Sequence, residues 1–485
     1  MAYPKAASRI HMFQVGEKRF VVDVHSCVFT EIDALAWDVL ETSTEATSRN
    51  EVTEALSTKY EARDVAEAID ELDFMEATGH LFTEDPLASY HAHASALSTL
   101  CLNVAQDCDL ACRYCFAKGG TYGQGTARMP RDVGRKAVDF LIEHSGGLRN
   151  LTLCFFGGEP LLNFSVIQDT VAYAQRRGRE SGKQFHFNIT TNGTRLTREV
   201  RTFLARKGFS IIFSIDGPQE IQDEMRPFND GTGSYAVVSR NLRALIEDAG
   251  KIGLNFSIRA TFTRQHHDLS SIAMHLVNLG CHDISVEPAV LKHDAYEIKA
   301  PDLPAIKKAY AQFARLYLNE INNGRYFSFF HFRHTMDQAF RATRNLTQCG
   351  AGSGYLAVSS DGDLYPCHRF VGNDEYVMGD VVHGINRPDI RNYFTSAHVN
   401  NKSQCLRCWA RYICGGGCHA YALEFNSDIL KPYGIECELM KHRIELGAYI
   451  YAELADKYPE IMTQFYRQSS QSRPYLNPQA HSEKQ

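Results

Sequence analysis

Between residues 98 and 300, short apolar runs alternate with helical stretches, and this alternation constrains the fold more than any other feature. Six runs read as strands: LCLNVAQ from Leu100, LTLCFF from Leu151, HFNITT from His186, SIIFSI from Ser210, FSIRATFT from Phe256 and DISVEP from Asp283. Stretches such as GRKAVDFLIEH and SVIQDTVAYAQRRGRE lie between them. Repeated βα units with β-branched apolar strands indicate a parallel sheet. Six units suit an α/β fold, a partial (β/α)6 barrel of the TIM type, with functional groups at the C-terminal ends of its strands. The punctuation agrees: a cysteine-rich loop follows the first strand, GGEP the second, TNG the third and DGP the fourth.

A chain of 485 residues exceeds one ordinary core and suits two or three domains. Five regions are expected. Residues 1–90 open with a hairpin, HMFQVG and EKRFVVDV around Gly16-Glu17-Lys18, and continue with helical patterns in EIDALAWDVLET, SRNEVTEALSTKY and RDVAEAIDELDFMEATG, with Ser48 and Asn50 as caps. This order suggests a winged-helix-like module, and PLASYHAHASALS reads as the linker after it. Residues 91–300 hold the barrel and 301–348 a helical bridge. Residues 349–445 are loop-rich and cysteine-rich, with short strands YLAVSS and DLYPC around Asp361-Gly362. Residues 446–485 hold the end of an amphipathic helix, KHRIELGAYIYAELADKY, and a polar tail expected to be disordered, QSSQSRPYLNPQAHSEKQ.

The net charge of −6 gives no sign of a nucleic-acid partner or an anionic surface. No stretch of about 18 apolar residues occurs, so no membrane span is expected. The N-terminal MAYPKAASRIHMF lacks a basic segment followed by an apolar one, so a cytoplasmic location is expected.

Fourteen cysteines in such a chain call for something other than disulfides. Cys27, Cys101, Cys154 and Cys281 stand alone and read as small buried hydrophobes. The other ten form two clusters. CDLACRYC places Cys108, Cys112 and Cys115 in one loop. Structural zinc takes four protein ligands, and no fourth Cys or His lies in the loop. A [4Fe–4S] cubane accepts each thiolate on a separate iron. Three thiolates leave one iron for a small chelating ligand such as S-adenosylmethionine, whose sulfonium yields a carbon radical on one-electron reduction.

C-x3-C-x-aromatic-C, with Tyr114 as the aromatic and Cys115-Phe116-Ala117 following, resembles the radical S-adenosylmethionine superfamily. The resemblance implies that the strand ends bind the cofactor: Tyr114 and Phe116 beside the cluster, Gly157, Gly158 and Glu159 of GGEP near the methionine amino group, Thr191 and Asn192 after the third strand, and Ser214 and Asp216 after the fourth. Glycines there would let backbone approach the ligand. Arg226 and Arg259 could pair with the ligand carboxylate. Glu287 ends the sixth strand and could face the substrate or the adenosine.

The C-terminal pattern Cys349-x12-Gly362-x4-Cys367, then Cys405-x2-Cys408-x5-Cys414-x3-Cys418, then Cys437, resembles the seven-cysteine SPASM domain. A zinc ribbon is the alternative. The resemblance implies two auxiliary clusters, three [4Fe–4S] clusters in all. Cys405, Cys408, Cys414 and Cys437 would ligate one. Cys349, Cys367 and Cys418 would ligate the other, with an open iron able to take a substrate thiolate. Sulfatase-oxidising relatives carry an Asp after the G-x4-Cys cysteine. His368 stands here, a proton acceptor or a hydrogen-bonded surface residue.

Over residues 10–445 the chain is similar to six-cysteine-peptide (SCIFF) maturases and to the quinohemoprotein amine dehydrogenase maturation enzyme, on FFGGEPLLNF, SIDGP, MRPFNDGTGSY, ATFTR, ISVEPAV, CGAGSGYLAVSSDGDLYPCHRFVGN and CGGGCHAYA. The implied activity joins a cysteine sulfur to a carbon within a ribosomally made peptide or small subunit, whose leader docks on the N-terminal module as an added strand. A flavodoxin or ferredoxin would be the electron donor. The acceptor would be an Asp or Glu methylene of the dehydrogenase small subunit, which the Ala-, Arg- and His-rich composition favours, or a Thr carbon of the six-cysteine peptide. Other radical oxidation or epimerisation of a peptide, and an iron–sulfur electron carrier, are the alternatives.

Overall fold

The computed structural model describes residues 7–459 apart from His91 and His293. The expected disordered tail from Gln468 lies outside the described residues.

The N-terminal region is a three-stranded antiparallel sheet, β1 (Ile10–Val15), β2 (Lys18–Asp23) and β3 (Phe29–Ile32), followed by helices Ala34–Ser43, Arg49–Leu56 and Ala62–Ala77. Two sequence expectations are corrected here. Glu31 and Ile32 belong to β3 rather than to the first helix, which starts after Asp33, whose carboxylate accepts the Ala36 N–H. Ser48 caps the second helix by accepting the Glu51 N–H, whereas Asn50 lies inside that helix, beyond the capping position. The period of two along β2 gives the sheet two buried faces. Val21 packs with Val39, Val52 and Val65 of the helices. Phe20 and Val22 face the C-terminal region, meeting Tyr412, Ile413, Ile444 and Ala448.

The barrel strands are β4 (Thr99–Gln106), β6 (Asn150–Gly157), β7 (Gln184–Thr191), β8 (Phe209–Ser214), β9 (Asn255–Phe262) and β10 (Asp283–Pro288), with the short β5 (Ala127–Arg128) paired antiparallel to β4. The six run parallel in the order β4-β6-β7-β8-β9-β10. They include every strand expected from the alternation. Two later segments extend the sheet. β11 (Ser328–Phe329) pairs parallel with β10, and β12 (Tyr355–Val358) pairs parallel with β4, Tyr355 opposite Thr99 and Val358 opposite Leu102. From β12 the chain turns at Gly362, whose φ of 103° suits glycine, into antiparallel β13 (Asp363–Tyr365), β14 (Gly379–Asp380) and β15 (Gly384–Ile385).

The cysteine-rich region is therefore a continuation of the barrel sheet. One hydrophobic core contains Leu100 and Leu153 of the barrel, Phe313 and Tyr317 of helix Leu303–Asn322, Leu356 and Leu364 of the hairpin, and Leu446 of helix Gly434–Lys457. That last helix begins at Gly434 rather than Lys441, which places Cys437 in its first turn. Among the described residues no helix is long and apolar enough to cross a membrane.

Leu356 is fully buried in the strand that joins the two regions. Leu356→Ala is expected to cost about 2–5 kcal/mol. Urea unfolding followed by circular dichroism and by Trp409 fluorescence checks this, and both signals should shift together because barrel and cysteine-rich region share the core.

Candidate functional site

The loop after β4 carries Cys108, Cys112 and Cys115, and its shape is set by neighbours distant in sequence. Leu110 forms an antiparallel bridge with Phe228. The Ala111 N–H donates to Pro227 O at 2.8 Å and the Arg113 N–H to Met225 O at 2.9 Å, and Asn229 Nδ2 donates to Cys108 O at 2.8 Å. The stretch MRPFND after β8 thus clamps the cysteine loop. Its role was not legible in the sequence, because the pairing spans more than a hundred positions.

The donor set fits a cluster. The Cys108 sulfur receives the Leu110 N–H at 3.5 Å and Asn192 Nδ2 at 3.7 Å. Burial pushes the free Cys108 thiol well up and Cys112 to about 11, so metal coordination is what would make these groups thiolates. Among the described residues no group of three or more His, Cys, Asp or Glu gathers tightly enough for a single metal ion. A cubane does not require that, since each thiolate sits on its own iron.

At the end of β6 the expected cofactor-contact residues also have work within the protein. A Cβ on Gly157 would lie 2.2 Å from Ala105 O, and one on Gly158 2.2 Å from Asp107 O. These glycines are required by the neighbouring backbone at the end of β4, where Gly158 N–H donates to Ala105 O at 2.8 Å. The Glu159 carboxylate is fully buried and committed to the protein. It accepts Thr191 Oγ1 at 2.8 Å, the Asn192 N–H at 2.8 Å and the Leu161 N–H at 3.0 Å. Burial outweighs those donors and raises its pKa to about 7. Asn192 in turn donates to Asp109 at 2.8 Å.

Asp216, Tyr114 and Arg226 form a second buried network. Tyr114 Oη donates to Asp216 at 2.6 Å and Arg226 Nη1 to Tyr114 Oη at 2.7 Å, with the Arg226–Asp216 ion pair at 3.9 Å. Asp216 also accepts the Thr261 N–H at 2.9 Å, joining the ends of β8 and β9. Burial raises the Asp216 pKa against the pull of Arg226. Arg226 is thus tied to Tyr114 and Asp216 through Nη1, while its Nε is buried without a hydrogen-bond partner among the described residues. Arg259 differs: its side chain on β9 is exposed and makes no hydrogen bond or ion pair among the described residues, while its charge reaches Glu287 and His368. Ser214 stands opposite Arg259 in the ladder. Glu287 accepts Ser285 Oγ at 2.6 Å and pairs with His331 at 3.3 Å, and His331 with Arg259 and Arg443 holds its pKa well below the usual range despite burial.

His368 is packed between Phe156 (ring centroids 4.7 Å) and Phe116 (5.9 Å), and its Nδ1 lies 2.8 Å from Tyr355 Oη. The expected surface position is therefore corrected: burial lowers its pKa to about 3 and keeps the ring neutral. Cys154 also departs from expectation. It is half-buried on the same strand as Phe156 and receives Asn188 Nδ2 at 3.6 Å, whereas Cys27, Cys101 and Cys281 are buried.

In the C-terminal region the thiols fall into two neighbourhoods. Cys367 lies close enough to Cys349 and Cys418 to feel their charge, as Cys405, Cys408, Cys414 and Cys437 do one another's. These are the groupings that the resemblance to the SPASM domain implies. Cys349 is reached by solvent through a cleft lined by Tyr90, Thr347, Gln348 and His398. Sequence reasoning missed three residues here. The Arg369 guanidinium stacks 4.3 Å from the Phe116 ring and 4.5 Å from Tyr421, linking the two cysteine regions. Lys402 is fully buried, donates to Gly416 O at 2.7 Å and lies between both thiol sets. Glu436 lies beside Cys418. Only the nearness of Lys402 and Glu436 to cysteines in the chain could have pointed to them.

Two outcomes follow from the buried charges. Asp216→Asn leaves Arg226 without its counter-charge and is expected to cost about 3–5 kcal/mol in urea unfolding of the metal-free protein. The Glu159 carboxyl has a folded pKa of about 7, above its ordinary value of 4.5, so its contribution to stability is present below about pH 4.5 and is lost as pH rises through about 7. Unfolding measured across that window should show this fall, and Glu159→Gln should remove it.

Comparison with known proteins agrees with the geometry. Residues 102–257 match the Radical SAM superfamily, and residues 349–409 match SPASM, an iron–sulfur cluster-binding domain. The serine-type anaerobic sulfatase-maturating enzyme of Klebsiella pneumoniae is 23% identical over 376 residues, covering 72% of this chain and 91% of that protein. The radical SAM cyclopropyl synthase TigE of Paramaledivibacter caminithermalis is 22% identical over 361 residues, covering 70% and 71%. The solved structure of native anSMEcpe with bound AdoMet shares the fold, at a TM-score of 0.62 and 20% identity over 74% of this chain and 100% of that one. The chain is built of a radical S-adenosylmethionine domain and a SPASM domain, modules whose cofactors are [4Fe–4S] clusters and S-adenosylmethionine.

Proposed function

We propose that the chain modifies a ribosomally made peptide or small subunit by joining a cysteine sulfur to a carbon of another residue, with an Asp or Glu methylene of the quinohemoprotein amine dehydrogenase small subunit as the favoured acceptor. The observation that carries this reading is the Arg369–Phe116 stack at 4.3 Å. It sets the segment that carries Cys367 beside the loop that carries Cys115, which supports a substrate held between the two cysteine regions. A protein of the same fold, anSMEcpe, has been solved with bound AdoMet and the Kp18Cys peptide.

Cys108, Cys112 and Cys115 would hold the first cluster and Arg259 would meet the cofactor's carboxylate. When bound, that cluster and S-adenosylmethionine supply a carbon radical able to take a hydrogen atom. Sulfur–carbon bond formation removes one hydrogen atom from the carbon, one proton from the thiol and one electron. Burial lowers the His368 pKa to about 3, too low for an efficient base at neutral pH, so the thiol proton would pass to solvent. Glu287, held ionised beside His331, is suited to orienting a donor rather than to proton transfer at neutral pH. The electron leaves toward the SPASM thiol sets, and an external flavodoxin or ferredoxin would be the reductant for the first cluster. The N-terminal module, packed on the C-terminal region through Phe20 and Val22, would hold the leader segment.

A second reading, oxidation of a peptide residue without crosslinking, is favoured by the sulfatase-maturating relative. His368 in place of an Asp after Cys367 speaks against it. Anaerobic incubation with S-adenosylmethionine, a reductant and the candidate peptide distinguishes the two. A thioether gives a product lighter by two hydrogens with one thiol no longer open to alkylation. An aldehyde or a mass-neutral epimer would overturn the thioether reading. Replacing Cys108, Cys112 and Cys115 by Ala is expected to abolish release of methionine and deoxyadenosine. Retained cleavage would overturn the assignment of that loop.

A further inference from the structure

Glu436 opens helix Gly434–Lys457, one residue before Cys437. Its carboxylate accepts the Cys418 N–H. Its Oε2 is buried and has no hydrogen-bond partner among the described residues. That oxygen lies 3.9 Å from where a Cβ on Gly417 would stand, so it faces the backbone that presents Cys418. Its charge is felt by Cys349 and Cys418 of one set and by Cys414 and Cys437 of the other, so it stands where the two sets meet. Buried carboxylate oxygens are ordinarily paired or bound to a metal.

The two thiol sets differ in completeness. Cys405, Cys408, Cys414 and Cys437 supply four ligands, enough for a cubane. Cys349, Cys367 and Cys418 supply three, and no further cysteine lies between Cys281 and Cys349. Of the two sets Glu436 neighbours, only this one lacks a ligand, and the free oxygen faces the backbone that presents its Cys418. A carboxylate carries the same charge as a thiolate, so the substitution keeps the net charge of the site. Lys402 and Arg369 already flank that site as buried cations.

We propose that the Glu436 carboxylate is the fourth protein ligand of the cluster held by Cys349, Cys367 and Cys418 in the resting protein. This rests on the assignment of those three cysteines to a cluster. Oxygen is a harder ligand than sulfur and binds iron of such clusters less firmly than thiolate does. Glu436 then closes the iron against solvent reaching Cys349 through its cleft, and a substrate thiolate has a displaceable ligand to replace.

The test uses full-length protein with Cys108, Cys112 and Cys115 replaced by Ala, reconstituted with 57Fe in thiol-free buffer and read by Mössbauer spectroscopy and iron release to a chelator. The parent is expected to show one iron site with an oxygen ligand. Glu436→Gln should shift that site and speed iron release several-fold. Glu436→Cys should make the site match the all-sulfur ones and return release to the parent rate or slower. An unchanged site and release rate in Glu436→Gln would overturn the proposal, as would a parent spectrum with sulfur-ligated sites only. Cys349→Ala separates this from the underlying assignment: it should lose about four iron atoms per chain. If the iron stays, the assignment of the three cysteines fails, whatever Glu436 does.

Discussion

The parallel ladder between β12 and β4 is the constraint on which the rest of the arrangement depends. β4 delivers the loop of Cys108, Cys112 and Cys115, and β12 lies between Cys349 and Cys367. Four residue pairs, from Tyr355↔Thr99 to Val358↔Leu102, fix the register. Because side chains alternate along a strand, a slip of one residue would turn Leu356 and Val358 out of the core and carry Tyr355 to the wrong face. Tyr355 meets His368, His368 meets Phe116, and Phe116 meets Arg369 beside Cys367 and Cys418. The relative placement of the two cysteine regions is thus set by a backbone ladder and needs no mobile interface.

Around the first thiol loop the protein puts charges where burial is costly. Glu159 and Asp216 are both fully buried, and each carries a raised pKa because desolvation outweighs its donors. The donors they do collect come from separate strand ends: Thr191 and Asn192 for Glu159, Thr261 and Tyr114 for Asp216. Each carboxylate therefore ties together backbone segments that would otherwise end in independent loops. Clamping by Pro227 and Met225 carbonyls holds the cysteine loop from the other side. The loop's shape is set by these bonds before any ligand binds, which lowers the ordering entropy that binding must overcome.

How much of this was readable from the sequence follows from range. The six barrel strands were legible because strands buried on both faces are continuous apolar runs. Ser48 was legible as a cap because capping is local. β3 was missed: Glu31 and Asp33 lie next to a helical pattern, and only pairing of Phe29 with Val22 reveals the strand. β12 was seen as a strand but not as a barrel strand, since its partner Thr99 lies 256 positions away, the same separation as the Ser98–Gly354 hydrogen bond. The ten cluster cysteines were readable as two families of spacing, but Glu436 was not, because a single acid next to a cysteine has no pattern.

The same range argument explains why residue type at a strand end was an uneven guide to ligand contacts. Glu159, Asp216 and Arg226 have the chemistry to bind a zwitterionic cofactor, and residue type alone does not separate them from Arg259. The structure separates them by what they already hold. Three are buried and hydrogen-bonded to protein, while Arg259 is exposed inside the ring of strands and keeps its donors free. A guanidinium with unspent donors offers a carboxylate two parallel bonds without breaking any existing one, whereas Arg226 has its Nη1 held by Tyr114 and offers only its remaining nitrogens. On the proposed reading, the network residues would act on a ligand through the backbone they position, and Arg259 would act on it directly.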